Sequence, residues 1–149
     1  MVEVNQRTIP LLISRLVLAW VFISAGLPKV QDPVAFSTSI EGYRLISGSP
    51  ALWTAIILPW LELIIGFGLL TPWLRRASAC IMVALLCLFI TLHGSAWTRG
   101  LDINCGCFGK STDSPEYHWL ILRNLVLLII TIFILRASCR NKRTPKSSN

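Results

Sequence analysis

Cys105 and Cys107 stand one residue apart, with Gly106 between them, in the segment Gly100-Leu-Asp-Ile-Asn-Cys-Gly-Cys-Phe-Gly109. Two thiols at that spacing can approach each other. A disulfide between them closes a very small ring, and ring strain makes such a bond more reducible and a better oxidant. Gly106 and Gly109 permit the unusual backbone angles of so tight a turn. Asp102 lies close by in sequence, and a carboxylate beside a thiol disfavours the thiolate. Three chemistries fit the pair. It can be a redox-active dithiol/disulfide. It can be a structural disulfide, although so short a ring constrains little chain entropy. With His93 and His118 it can also supply four N/S ligands of the kind zinc takes, at a spacing unlike that of a common zinc module. Otherwise His93 and His118 read as interfacial polar residues.

The elements that must position this pair are membrane helices. The chain has 149 residues, 54% of them hydrophobic and 14% charged, with a mean hydropathy of +0.64. A soluble domain carries about 25% charge, so this composition excludes a disordered chain and argues against an ordinary soluble fold. A spanning helix needs about 20 mostly apolar residues. Four stretches qualify: about 9–27, 51–70, 77–97 and 118–135. No period-2 alternation runs through them, which excludes a transmembrane barrel. The expected fold is an all-α integral membrane bundle of four spans, comprising residues 1–136, followed by a basic tail over 137–149 that reads as disordered. Arg15 interrupts the first apolar stretch, and no compact basic region precedes it. It therefore reads as a retained span rather than a cleaved signal peptide.

Orientation follows from Lys and Arg near the span ends. Of the 14 Lys and Arg, eight sit in the tail, the turn holding Arg75 and Arg76, and the N-terminus; the other two loops hold four. Both termini are thus expected in the cytoplasm, with the 28–50 and 98–117 loops outside, where disulfides persist. The basic tail is accounted for by anionic lipid, and no nucleic-acid role is expected.

Two charges fall inside the first two spans. A charge at the bilayer centre costs about 2.5–3.5 kcal/mol on insertion scales and usually finds a partner within the bundle. Arg15 lies roughly 9 Å and Glu62 roughly 12 Å from the cytoplasmic side at 1.5 Å per residue, so the two are expected to pair. Arg15, Ala19, Phe22 and Gly26 share one face; Pro59, Glu62, Gly66 and Leu69 share another. The pair reads as a structural ion pair or as a proton relay or quinone contact. Arg123, in span four, can snorkel or reach the outer loops. Cys80 and Cys87 lie in a stripe with Ala77, Ala84, Thr91 and Gly94 that is expected to pack helix on helix. Cys139 reads as a bystander in the tail.

Taken in order, these pieces form a pattern: Arg15; Ala25-Gly-Leu-Pro-Lys-Val30 with Asp32-Pro33; Pro59-Trp-Leu-Glu-Leu63 with Gly66; Asp102-Ile-Asn-Cys-Gly-Cys-Phe-Gly109; and Leu122-Arg-Asn-Leu125. The chain resembles the methylamine-utilisation protein MauE family, within the DoxX-like group of small four-helix membrane proteins. The resemblance covers nearly the whole chain up to the tail. It implies a DoxX-like bundle in a bacterial inner membrane and a role in redox maturation of exported proteins. It implies Cys105 and Cys107 as the redox pair, and as partner an exported disulfide-containing client, such as the small subunit of methylamine dehydrogenase, or a thioredoxin-like redox protein. Quinone-linked disulfide-generating proteins have a similar plan but usually carry two outer cysteine pairs. The 28–50 loop here has no cysteine. No resident metal or cofactor is expected. A non-enzymatic scaffold for a redox or export partner is the alternative reading. A small solute carrier is another, for which a homodimer could build the pathway.

Overall fold

A computed structural model describes residues 8–101 and 117–140. The described chain is helical, without strands: α1 (Thr8–Gln31), α2 (Pro33–Gly42), α3 (Ser49–Leu70), α4 (Arg75–Thr98) and α5 (Tyr117–Arg140). Four of these helices are long and apolar enough to cross a membrane: α1, α3, α4 and α5. At 1.5 Å per residue, a 24-residue helix reaches about 36 Å, enough for a hydrocarbon core of about 30 Å. The chain is a multi-pass membrane protein, as its composition requires.

The four spans form a closed ring. α1 packs on α3, α3 on α4, α4 on α5 and α5 back on α1, with α1–α3 and α4–α5 the most extensive contacts. Leu18, Phe22, Ile65, Leu69, Met82, Leu86, Leu127 and Ile134 fill the centre. Large apolar side chains such as Trp20, Ile64, Phe67 and Ile129 point outward, as they must where the surrounding solvent is lipid.

Small residues allow the close α1–α3 approach. A Cβ on Gly66 would sit 2.9 Å from Ile23 and 3.3 Å from the carbonyl oxygen of Ala19; one on Gly26 would sit 3.1 Å from the carbonyl oxygen of Pro59. Helix faces of this kind are the expected packing surfaces in a bilayer, where no hydrophobic force drives helices together. The expected faces of α1 and α3 hold: Ala19, Phe22 and Gly26 are buried, as are Pro59, Glu62, Gly66 and Leu69.

Three expectations need correction. The first span runs through Pro28 to Gln31 instead of ending near Leu27. Pro28 has no N–H to give the Ser24 carbonyl, yet the helix runs past it, and Asp32 N donates to Pro28 O at 3.2 Å. The 28–50 connector is not all loop, for it contains α2. Asp32 caps that helix by accepting from Ala35 N at 2.9 Å, and Pro33 starts it; both are strong helix-start residues. Finally, the Ala77, Cys80, Ala84, Cys87 and Thr91 stripe of α4 is exposed rather than packed against another described helix. The packed face of α4 holds Ser78, Ala79, Met82, Leu85 and Leu86 instead. The tight meeting of Ser78 with Gly68 rotates α4 this way.

Candidate functional site

The α2 end of the bundle collects the polar side chains. Lys29 Nζ lies 2.8 and 2.9 Å from the two carboxylate oxygens of Glu62. The two side chains are 4% and 2% exposed, so the pair is fully inside the protein. Phe36 and Phe89 flank the ammonium with ring centroids at 5.0 and 5.7 Å, which is cation–π distance. Arg123 of α5 is near enough to act electrostatically on the same carboxylate.

Helix geometry makes this pairing. Cα–Cβ bonds tilt toward a helix N-terminus. In antiparallel α1 and α3, Lys29 therefore leans inward along α1 while Glu62 leans toward the α2 end along α3, and they converge. Arg15, lower on the same helix, leans the same way as Lys29 and so away from Glu62. The contacts of Gly26 with Leu63 and of Gly66 with Ala19 set the register. They put Arg15 roughly 15 Å along the axis from the level of Glu62, at 1.5 Å per residue. The expected Arg15–Glu62 pair is thus replaced by Lys29–Glu62, and Arg15 lies at the other end, close enough to Arg75 for mutual repulsion. The ends of the two spans are not level, because α1 overshoots α3 at the Arg75 end.

A sequence signal for Lys29 exists. Extending the face Ala19, Phe22, Gly26 by three residues reaches Lys29. Ending the span at Leu27 hid it.

Beside the ion pair lies a cavity of about 340 Å³, walled by α1, α3, α4 and α5 and covered by α2. Its lining is largely aliphatic and aromatic, with Lys29, Glu62, His93, Arg123 and Asn124 among its polar members. His93 is buried rather than interfacial. Its Nδ1 lies 2.6 Å from Phe89 O, and its ring meets Tyr43 edge-on at 6.1 Å. His118 stays exposed and packs edge-on against Trp97 at 4.7 Å. Arg123 also lines the cavity.

Asp102, Cys105 and Cys107 lie outside the described residues, as does the tail beyond Arg140. The segment that carries the cysteines leaves α4 at a well-built corner. Gly100 adopts φ 61°, and Leu101 N donates to Ala96 O at 3.1 Å while Gly100 N donates to Trp97 O at 3.1 Å. This is a Schellman cap. Arg99 Nη1 then ties the corner to Tyr43 O at 3.0 Å. The cysteine segment therefore starts and finishes at the α2 end of the bundle, the end that holds the cavity. Among the described residues no group of three or more His, Cys, Asp or Glu side chains is placed to hold a metal ion.

Residues 7–137 match the family described as methylamine utilisation protein MauE. The chain is similar to the MauE protein of Methylophilus methylotrophus, 33% identical over 135 residues, covering 88% of this chain and 70% of that relative. It is 31% identical to MauE of Paracoccus denitrificans over 121 residues, covering 80% of this chain and 65% of the relative. It is 30% identical to MauE of Methylorubrum extorquens over 111 residues, covering 74% and 59%. The chain thus spans from 59% to 70% of the length of these relatives. No solved structure matches it.

Proposed function

From the premise that the chain belongs to the methylamine utilisation protein MauE family, we propose that it is a membrane maturation factor that performs thiol–disulfide exchange at Cys105 and Cys107. The observation that carries this reading is the Cys-Gly-Cys element itself, set in the segment between two helix ends at the α2 end of the bundle. By the same reading that end faces the extracytoplasmic side of a bacterial inner membrane, because the Lys and Arg excess sits at the Arg75 end and in the tail. The client is an exported protein that needs disulfides, as for a factor in methylamine utilisation.

The exchange balances as follows. A client thiolate attacks one sulfur of the Cys105–Cys107 disulfide, forming a mixed disulfide and releasing the other cysteine as thiolate. A second client thiolate attacks the mixed bond. The client leaves with its disulfide, and the two electrons remain on Cys105 and Cys107 as a dithiol. A thioredoxin-like protein in its disulfide form takes those electrons by the same exchange in reverse. The small ring favours the oxidising direction, since strain raises the potential of the bond.

The test is to replace Cys107 by Ser: the remaining Cys105 thiolate can attack the disulfide of an oxidised thioredoxin-like protein or oxidised client, and with no Cys107 to resolve it the mixed disulfide accumulates and is captured from membranes. A client or a thioredoxin-like protein held through Cys105 is the expected result. Normal client disulfide formation in the Cys105→Ser/Cys107→Ser variant would sink the proposal.

A further inference from the structure

His93 and Asn124, on the lining of the cavity beside the Lys29–Glu62 pair, each carry a polar atom without a hydrogen-bond partner among the described residues. Asn124 Nδ2 and His93 Nε2 are both buried without a hydrogen-bond partner, on side chains 3% and 5% exposed. Both residues line the cavity. Buried polar groups are nearly always paired, so two orphans on one cavity wall call for an occupant. Lys29 and Glu62 hydrogen-bond each other, and neither reaches the two atoms.

With the His93 ring neutral, their hydrogen-bond roles are opposite. Phe89 O can only accept, so His93 Nδ1, 2.6 Å away, must carry the proton. In the neutral ring Nε2 is then a bare acceptor. Asn124 Nδ2 is a donor. An occupant that satisfies both must offer a donor and an acceptor together. A carboxylate or a quinone carbonyl offers only acceptors. A hydroxyl offers both.

The walls decide the rest. Phe22, Phe36, Tyr43 and Phe89 place aromatic rings around the space, which suits a flat ring held edge-to-face or offset. A volume of about 340 Å³ is at the small end of the range for small-molecule sites, roughly 300–1,000 Å³. It suits a single substituted ring and little more.

We propose that the cavity is a binding site for a lipid-soluble hydroxylated aromatic ring of the hydroquinone class. One hydroxyl donates to His93 Nε2, an oxygen of the ring accepts from Asn124 Nδ2, and the ring lies among the phenylalanines. The quinone form keeps the bond to Asn124 and loses the one to His93. The site therefore prefers the reduced form, and this preference is its signature.

The site stands apart from the thiol chemistry, and its test reads binding alone. The full chain in lipid nanodiscs is dialysed anaerobically against tetramethylhydroquinone, tetramethylbenzoquinone, and the dimethyl ether of the hydroquinone, with protein-free nanodiscs as the partition control. The hydroquinone is expected to bind saturably and at least tenfold more tightly than either of the others. His93→Phe should bring the three to equal affinity, and Asn124→Leu should weaken hydroquinone and quinone alike. The Cys105→Ser/Cys107→Ser variant should bind as wild type does, whatever becomes of client maturation. Equal affinity of the three rings for the wild-type protein, or no saturable binding, overturns the proposal without any variant having to fold.

Discussion

Lys29 Nζ meets both carboxylate oxygens of Glu62, at 2.8 and 2.9 Å, where neither side chain touches the surroundings of the protein. The contact joins the end of α1 to the middle of α3 and forms one wall of the cavity.

Breaking that pair from either side leaves an uncompensated buried charge. Lys29→Met or Glu62→Leu alone should destabilise the bundle by about 3–5 kcal/mol, while the double variant should come close to wild type or exceed it. Unfolding of the three variants in a constant detergent checks this. Equal loss in the double variant would mean that the pair adds net stability.

The same residue tests the relay reading. Glu62→Gln keeps the shape and removes the charge. With the pair acting structurally, thiol exchange per folded molecule should equal that of wild type. An exchange rate that falls in proportion to lost proton uptake would make Glu62 a relay group instead.

The α3–α4 contact depends on Gly68 lying against Ser78. A Cβ at Gly68 would overlap Ser78 Oγ, whereas Ser78 Cβ would be 3.4 Å away. Gly68→Ala should therefore cost about 1–3 kcal/mol through overpacking. Adding Ser78→Ala removes the clashing oxygen and should restore most of the loss. A double-mutant cycle of unfolding free energies reads the coupling.

Gly100 holds φ 61° at the corner from which the cysteine segment departs. An L side chain in that region costs roughly 1–2 kcal/mol. Gly100→Ala should speed amide exchange in the last turn of α4, around Ser95 to Arg99, and leave the first turns unchanged. Uniform protection along α4 would show that the cap does not hold that turn.

The proposed orientation has a direct assay. In a chain whose native cysteines are serines, Ser47→Cys lies in the loop between α2 and α3, and Trp73→Cys lies in the turn between α3 and α4, where Trp73 is almost wholly exposed. A membrane-impermeant maleimide added outside intact cells should label position 47 and spare position 73. The reverse pattern inverts the protein.

The sequence by itself determined the number of spans, because lipid demands long apolar helices and leaves little choice of architecture. It also determined the buried faces of α1 and α3, since Gly26, Gly66 and their neighbours recur at helical spacing. It singled out Glu62 as a buried charge in need of a partner. It could not choose that partner. Arg15 and Lys29 both extend the buried face of α1, and only the antiparallel register and the opposed tilts of two side chains bring Lys29 to Glu62. The rotation of α4 was not legible either: the Cys80–Cys87 stripe was expected to pack, but the Ser78–Ala79 side carries residues just as small. Gly68 facing Ser78 settled it. The cavity belongs wholly to the tertiary structure. His93 and Asn124 come from different helices, and residues far apart in the chain acquire a common wall only when the helices close the ring.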